Sequence, residues 1–475
     1  MSENQVPGWK ELLGKQHAAQ LALLCVGVWL HAADSLMVST IMPDIIADIG
    51  GARFIAWTFA LYEIGSIIAG AACALLSLRY GLRTTMTSAA LLYMTGCLIS
   101  AIAPEMIILL VGRVLQGLGG GGLVALSLVA ANRLFSRALL PRAMAAISMI
   151  WGISAFSGPL VGGIFSEFEL WRGSFLFFAI QALALAIMIL FVLRNEIKQA
   201  LGHSSGNIPV LRLCLLSSGI ISIASAGINV SLVWSPICII LGLGMVSLFL
   251  YRDGKSDTNR LLPHHPFSLR HGVGAALTMV FCFTVSSIAF SIYGPLLMVT
   301  IYGSSALEAG IILALSSIGW TVFAIAASGS AEKNDTKFIG IGMCVLSFSI
   351  IGFMIAIPHG FLSLIACFAF LEGAGFGMAW TFILRRLTVI AGHDEKDRVA
   401  SALPTVQRAG YAFGAAYLGI VANAVGFGDT VDAETARSVG FWLFAMVLPI
   451  AGMGLYAAWI FIRSPVTGGN FRNAD

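Results

Sequence analysis

The sequence predicts an all-α protein that crosses a membrane many times. Apolar residues make up 58% of its 475 residues and charged residues only 11%, whereas an ordinary soluble domain carries roughly 25% charged residues. So few charges cannot cover a surface that faces water, and lipid must therefore surround much of the chain. Apolar segments of about 20 residues, the length that crosses a bilayer, recur fourteen times. The predicted spans are 18–42, 54–78, 84–103, 106–130, 141–165, 172–193, 209–227, 233–251, 272–300, 307–329, 337–357, 360–384, 400–424 and 439–462.

The distribution of positive charge supports this number of spans. With an even number, both termini lie on one side, and that side then holds 22 of the 27 Lys and Arg residues. Three others, Arg53, Arg172 and Arg437, fall on the opposite side, and Arg113 and Arg408 fall within spans. Because cytoplasmic loops are enriched in Lys and Arg, we expect a multi-pass bacterial inner-membrane protein with both termini in the cytoplasm.

Several classes of function find no support in the sequence. The eight cysteines lie in apolar segments without a CxxC pair, so neither a disulfide framework nor a zinc site is expected. The net charge of +4 includes no basic block of the kind that binds nucleic acid. The chain has no nucleophile elbow, HExxH motif or phosphate loop, so we expect no enzyme and no cofactor. The loops are too short for a separate soluble domain, and any function must lie among the helices.

Helices five and thirteen resemble one another. Segments that begin at Arg142 and Arg398 share four identities in 22 positions at a constant offset of 256 residues. The matched pairs include Gly158 with Gly414 and Gly163 with Gly419. Small residues raise the rate of chance matches in membrane helices, but a parallel repeat is also how many transporters build two halves around one site.

Short motifs follow one another in a fixed order along the first half of the chain. They are Asp34 nine residues before Pro43, Trp57 five residues before Tyr62, the loop residues Arg79, Gly81 and Arg83, Arg113-Val-Leu-Gln116-Gly117, and Gly158-Pro159-Leu-Val-Gly162-Gly163. Together they resemble the major facilitator superfamily and, within it, the fourteen-helix drug:proton antiporter family. That resemblance implies two six-helix bundles, at 18–194 and 271–463. It also implies a linker at 195–270 that inserts helices seven and eight, a cytoplasmic lead-in at 1–17 and a cytoplasmic tail at 464–475.

One position departs from the family pattern. Leu78 stands where the family has an aspartate in the loop that contains Arg79, Gly81 and Arg83. The family aspartate joins a cytoplasmic charge network that latches the outward-facing state, so its replacement puts this latch in doubt.

The glycines of helix five have two readings. Small residues let membrane helices pack closely, and Pro159 is expected to bend the helix. We expect packing or hinge roles for Gly158, Pro159, Gly162 and Gly163, because that is the usual role of small residues in membrane helices. The resemblance implies a conformational role for the same motif, and both readings can hold.

Ionisable residues inside the spans are the main candidates for function, because a charge in the bilayer is costly. Asp34, Glu63 and Arg113 lie roughly 10–14 Å below the outer surface at 1.5 Å per residue. Two acids beside one arginine cannot both ionise cheaply. We therefore predict that these three residues couple transport to protons, although Asp34 and Arg113 could instead form a static ion pair. His31, one turn before Asp34, could tune it or serve in packing.

Other polar and aromatic residues are candidates for contact with a substrate. Glu372 lies near the middle of helix twelve, where it could meet a substrate or bond locally, and Arg408 could bind the Glu372 carboxylate or backbone carbonyls. Gln116, Tyr62 and Trp57 could line a cavity, although most aromatic side chains in such proteins face lipid or the core.

The favoured function is proton-driven export of a lipophilic small molecule by alternating access, in a protein that works as a monomer. The partners it implies are protons, a small-molecule substrate and the bilayer. A dedicated carrier of one metabolite or siderophore on the same fold is the alternative, and no residue decides between the two.

Overall fold

The computed structural model is all-helical over the residues it describes, which are 9–14, 17–194, 208–256, 260–428 and 432–465. A short helical turn, Trp9–Leu12, precedes fourteen longer helices. Parts of the predicted lead-in (1–17) and linker (195–270), and most of the tail (464–475), lie outside the described residues. The longer helices are α1 (Ala18–Ile49), α2 (Ile55–Tyr80), α3 (Leu82–Ala101), α4 (Met106–Leu134), α5 (Leu140–Glu167), α6 (Trp171–Val192), α7 (Val210–Ser225), α8 (Trp234–Gly254), α9 (Gly272–Tyr302), α10 (Ala306–Ala327), α11 (Asp335–His359), α12 (Leu362–Ile390), α13 (Gly392–Ala424) and α14 (Ala433–Arg463).

Each predicted span falls on one of these helices, and the main differences are at the helix ends. Helix α1 continues seven residues beyond the predicted end at Met42, with Pro43 inside the helix. Helix α13 begins at Gly392, before the predicted start at residue 400, because its first turns are polar and hydropathy alone does not detect them. Among the described residues, eleven helices are long and apolar enough to cross a membrane; α3, α7 and α13 do not meet that standard.

The chain divides into two compact units. One holds α1, α3 to α6, and α2 from Leu61 onward; the other holds α7 to α14 together with Ala52–Ala60. In the first unit α1 packs against α4, α5 and α6, and α3 packs against α4 and α6. In the second, α9 packs against α13 and α14, and α11 against α12 and α14. Four of these pairings therefore recur after a shift of eight helices, as a parallel repeat requires.

Helices α7 and α8 form a tight hairpin at the start of the second unit. An added Cβ at Gly219 would lie 3.0 Å from the Gly242 carbonyl oxygen, so these glycines let the two backbones approach. Asp253, at the end of α8, is buried; it accepts hydrogen bonds from the Arg212 guanidinium (2.6 Å) and from the backbone N–H of Leu261 and Leu262 (3.0 Å each). This carboxylate ties both helices of the hairpin to the segment that leads into α9.

Candidate functional site

A buried ion pair lies at the centre of the first unit. Asp34 is near the middle of α1, and its Oδ2 atom accepts a hydrogen bond of 2.9 Å from Nη1 of Arg113 in α4. Neither side chain is exposed. Charges removed from water attract each other strongly, but each loses its hydration, so such a pair survives only with good geometry and further hydrogen bonds.

Arg113 has those further interactions within its own unit. Its Nη1 atom also donates to Oε1 of Gln116 at 2.9 Å, one turn along α4. Its guanidinium carbon lies 4.2 Å from the centroid of the Tyr62 ring, which places the cation against the ring's electron-rich face. Gln116 in turn donates from Nε2 to the Cys97 sulfur of α3 at 3.1 Å.

Two tyrosines connect this pair to neighbouring helices. The Tyr62 hydroxyl donates to the carbonyl of His31 at 2.8 Å and lies 2.9 Å from its Nδ1 atom. The Tyr93 hydroxyl of α3 donates to the carbonyl of Leu30 at 3.0 Å. Helices α2 and α3 are thus held against α1 within one turn of Asp34, and His31 belongs to the same cluster.

Glycines bring the helices close enough for these contacts. An added Cβ at Gly96 in α3 would lie 2.6 Å from the Gln116 backbone nitrogen, closer than real side-chain atoms approach. On the other side of α1, an added Cβ at Gly158 would lie 2.5 Å from the Ala33 carbonyl oxygen, and one at Gly162 would lie 2.7 Å from that of Met37. Gly158 and Gly162 therefore serve in packing directly beside Asp34, and the intervening Pro159 and the adjacent Gly163 are buried.

Glu63, the other predicted proton-coupling acid, follows Tyr62 in α2 and is half-buried. Its part in proton coupling stays a prediction. Trp57 is half-buried and lies in the segment that groups with the second unit.

A second buried acid lies in the second unit. Glu372 in α12 is 5% exposed, and its Oε2 atom is 3.4 Å from the Ser316 hydroxyl of α10. The prediction that Arg408 binds this carboxylate is wrong: among the described residues, Ser316 is the group that hydrogen-bonds Glu372, and no ion pair includes Arg408. The alternative was that Arg408 binds backbone carbonyls. Its Nη1 atom does not do so, since this atom is buried and has no hydrogen-bond partner among the described residues.

The loop between α2 and α3 has no charge latch among the described residues. Arg79 is exposed over the Tyr80 ring, Gly81 adopts a positive φ of 87°, and Arg83 makes no ion pair in the described part of the chain. The Arg133 guanidinium, at the end of α4, reaches only the Ser77 hydroxyl, at 3.5 Å. With Leu78 in place of the family aspartate, these arginines lack an acidic partner in this loop.

The corresponding loop of the second unit does contain an ion pair. Asp335 at the start of α11 binds Arg385 of α12, and Arg385 also donates to the Ser330 carbonyl at 3.2 Å. The sequence motifs did not indicate this pair, because Asp335 and Arg385 are 50 residues apart and match no motif.

Comparisons with known proteins agree with this architecture. The family model of the Major Facilitator Superfamily matches residues 24–251. A probable multidrug-efflux transporter of Mycobacterium tuberculosis is 28% identical over 473 residues, which cover 95% of this chain and 96% of that protein. A multidrug efflux pump of Staphylococcus aureus is 25% identical over 368 residues, or 76% of this chain and 79% of that one.

Solved structures show the same fold at low sequence identity. A D-xylose–proton symporter superposes with a TM-score of 0.64 at 15% identity, covering 94% of this chain and 98% of that one. A nucleoside transporter gives a TM-score of 0.62 at 13% identity, covering 95% and 100%. The repeated helix pairing, the family match over residues 24–251 and the full-length relatives agree, and the chain is similar to the major facilitator superfamily of membrane transporters.

Proposed function

We propose that the protein exports lipophilic small molecules or drugs in exchange for protons, by alternating access. The observation that carries this proposal is the fully buried pair of Asp34 and Arg113, in a chain similar over almost its whole length to a multidrug-efflux transporter. Ionisable residues at such depth in a membrane protein usually serve function.

Protonation of Asp34 would change the energy of the first unit in a defined way. The pair is stable because the carboxylate balances the guanidinium in a dry surrounding. A proton on Asp34 removes that balance, while the contacts of Arg113 with the neutral Gln116 side chain and Tyr62 ring do not depend on it. The conformation in which Arg113 finds another partner or water then becomes more favourable, and a ligand that distinguishes two conformations shifts their populations.

The other predicted residues have secondary roles in this scheme. Glu63 either carries a second proton or holds a positively charged group of the substrate. Trp57, Glu372 and Arg408 contribute to substrate contact. Gln116 and Tyr62 are buried around Arg113, so we propose that they meet the substrate only after the ion pair rearranges.

We also propose fourteen spans, with both termini in the cytoplasm of a bacterium and the protein in its inner membrane as a monomer. Eleven helices qualify by length and apolarity. Helix α3 packs against its neighbours as α11 does in the second unit, and α13 packs as α5 does in the first. Both α5 and α11 are among the eleven helices that qualify. In a parallel repeat α1 and α9 run in the same direction, so the number of crossings from α1 to α8, counted inclusively, must be even. Since α8 is apolar and long enough to cross, we propose that α7 crosses as well.

Transport in everted membrane vesicles tests the function. Substrate addition should dissipate a proton gradient that a pH-sensitive dye reports, and Asp34→Asn should abolish this response. Glu63→Gln should do so only if Glu63 carries a proton; if it selects charge, neutral compounds should still be exported while cations fail. Asp432→Asn, at the exposed start of α14, is the matched control and should behave as the wild type.

Two results would oppose the proposal. Uphill export with full proton coupling in both the Asp34 and Glu63 variants would move the coupling site elsewhere. A response to a single compound out of a chemically broad panel would favour a dedicated carrier.

A further inference from the structure

The two units place different residues at one equivalent position. Helices α4 and α12 align at the 256-residue offset, which pairs Gly117 with Gly373, Gly119 with Gly375 and Gly121 with Gly377. The glycines of each pair face matching neighbours: Gly117 meets α2 at Tyr62, and Gly373 meets α10 at Ser316. The same alignment pairs Gln116 with Glu372. The second unit thus carries an acid where the first carries an amide.

The partners that Gln116 uses have no polar counterpart in the second unit. Gln116 bonds Arg113 and Cys97. At the 256-residue offset, Arg113 corresponds to Ala369. The facing helices α3 and α11 have their own offset. Gly119 faces Tyr93 of α3 and Gly375 faces Leu346 of α11, so these two helices align at an offset of 253 residues. Cys97 of α3 then corresponds to Ile350 of α11. Ala369 and Ile350 are fully buried and apolar. Glu372 therefore occupies the position of Gln116, but the second unit has apolar residues where the first has the Arg113 and Cys97 side chains that bind Gln116.

The immediate surroundings of Glu372 contain little that would stabilise a negative charge. Its Oε1 atom is buried and has no hydrogen-bond partner among the described residues, and its Oε2 atom has only the long contact to Ser316. Burial of an ionised carboxylate without a cation or strong donors is very costly, whereas the neutral acid is tolerated.

The helices packed against α12 bring no compensating charge to this position. Arg385 and Arg386 on α12 itself are about 20 Å further along the helix, and they bind Asp335 and the carbonyls at the end of α14. Among Asp, Glu, Lys, Arg and His, the residues on the surrounding helices are otherwise Glu308 of α10, Asp335, Lys337 and His359 near the ends of α11, and Arg408 and the polar first turns 392–398 of α13; α9 has none of these five residue types.

We infer that Glu372 is a proton-binding site of the second unit, separate from the ion pair of the first. In the packed arrangement seen here the Glu372 carboxyl group is protonated and lies in contact with the Ser316 hydroxyl. It releases that proton when the α10–α12 seam opens to water or when a positively charged group approaches. Its part in transport rests on the proposed function; the binding of the proton does not.

A conservative variant separates this role from folding. Because glutamine occupies the equivalent position of the first unit, Glu372→Gln should fit the same helix face and leave the folded protein intact. Ser316→Ala removes the single hydrogen bond to the carboxyl and should retain the proton. Asp432→Asn changes an exposed acid and serves as the matched control.

Infrared difference spectroscopy of the purified protein in lipid, near neutral pH with hydrogen–deuterium exchange, tests the inference directly. We expect a carbonyl stretch of a protonated carboxylic acid that disappears in Glu372→Gln, shifts in Ser316→Ala and is unchanged in Asp432→Asn. An identical band in the wild type and Glu372→Gln, or no such band in the wild type, overturns the inference.

A second measurement keeps this inference distinct from the proposed function. Substrate-induced proton release from the purified protein should fall in Glu372→Gln, because the glutamine side chain has no acidic proton to release. If the wild type releases no protons with any exported compound, proton coupling fails, and the infrared band alone still decides whether Glu372 binds a proton. Unchanged release in Glu372→Gln, beside normal coupling in the wild type, overturns its role in transport.

Discussion

At the scale of single residues, Arg113 depends on three different kinds of interaction. It forms an ion pair with Asp34, a hydrogen bond with Gln116 and a cation–π contact with Tyr62. Only the first of these neutralises its charge. Loss of the Arg113 guanidinium therefore leaves the Asp34 carboxylate uncompensated in a dry site, whereas loss of both leaves neutral groups.

We expect Arg113→Gln to lower the free energy of unfolding by about 3–5 kcal/mol, because a buried charge without its partner is strongly destabilising. Thermal unfolding of the detergent-purified protein measures the effect. The double variant Asp34→Asn with Arg113→Gln is the control, and it should recover most of the lost stability while remaining inactive. A double variant as unstable as the single one would show that the contribution of Arg113 is not mainly electrostatic.

The sequence predicts this site in part. The motif spacings located Asp34, Arg113 and Gln116 because charged and amide side chains are rare in membrane spans. Tyr93 and Cys97 were not predicted, since their contacts depend on the register of α3 against α4 that Gly96 allows. The role of Glu63 stays a prediction, because residue spacing gives depth along a helix but not the direction in which a side chain points.

At the scale of helices, glycine positions determine which pairs can approach most closely. Gly65 of α2 faces the α4 backbone, where an added Cβ would lie 2.8 Å from both the Leu118 nitrogen and the Val114 oxygen. Gly70 of the same helix has open space around the corresponding point. Close packing against α4 therefore requires a glycine at position 65 of α2, but it does not require one at position 70.

These two glycines provide a matched pair of variants. Gly65→Ala should destabilise the protein by roughly 1–3 kcal/mol, as overpacking of a close contact does, and should disturb the ion pair that α4 carries. Gly70→Ala should be neutral or slightly stabilising, because alanine is the better helix former. Thermal unfolding and export assays of both variants check this expectation. Equal losses in the two would mean that backbone conformation rather than close packing governs α2.

Helix ends were harder to predict from the sequence than helix positions. Hydropathy detects the part of a helix that lies in lipid. It therefore predicts an end of α1 at Met42, whereas the helix runs to Ile49 with Pro43 inside it. Its extension is held by polar contacts: Asp44 accepts from Ser166, and Asp48 accepts from Arg172 and from the Trp171 indole at 3.1 Å. Such contacts join residues more than 120 positions apart, and no local pattern reveals them.

At the scale of the whole molecule, the parallel repeat was only faintly visible in the sequence. Four identities between helices five and thirteen indicated it, whereas the structure repeats four helix pairings after a shift of eight helices. The glycines that face matching neighbours on α4 and α12 extend the same 256-residue offset to a second pair of helices. Packing keeps the repeat because backbone approach requires small residues at fixed points, while most lipid-facing positions are free to change.

The proposed fourteen spans would place the turn between α7 and α8 outside the cell. A reporter enzyme that is active only outside the cytoplasm, fused after the exposed Leu232, should therefore be active. The same reporter fused after Lys255, at the end of α8 that this topology assigns to the cytoplasm, should be inactive and serves as the control. An inactive fusion at Leu232 would mean that α7 does not cross the bilayer, and the number of spans would be lower.

The buried ion pair also imposes an order on the synthesis of the chain. Helix α1 leaves the ribosome first and carries Asp34 into the membrane, while Arg113 arrives only with α4. Until then an aspartate near the centre of a membrane helix opposes insertion by about 3 kcal/mol. The long apolar sequence of α1 has to outweigh this penalty, or α1 has to wait at the insertion machinery. The first unit can therefore reach its final packing only after its fourth helix has been made.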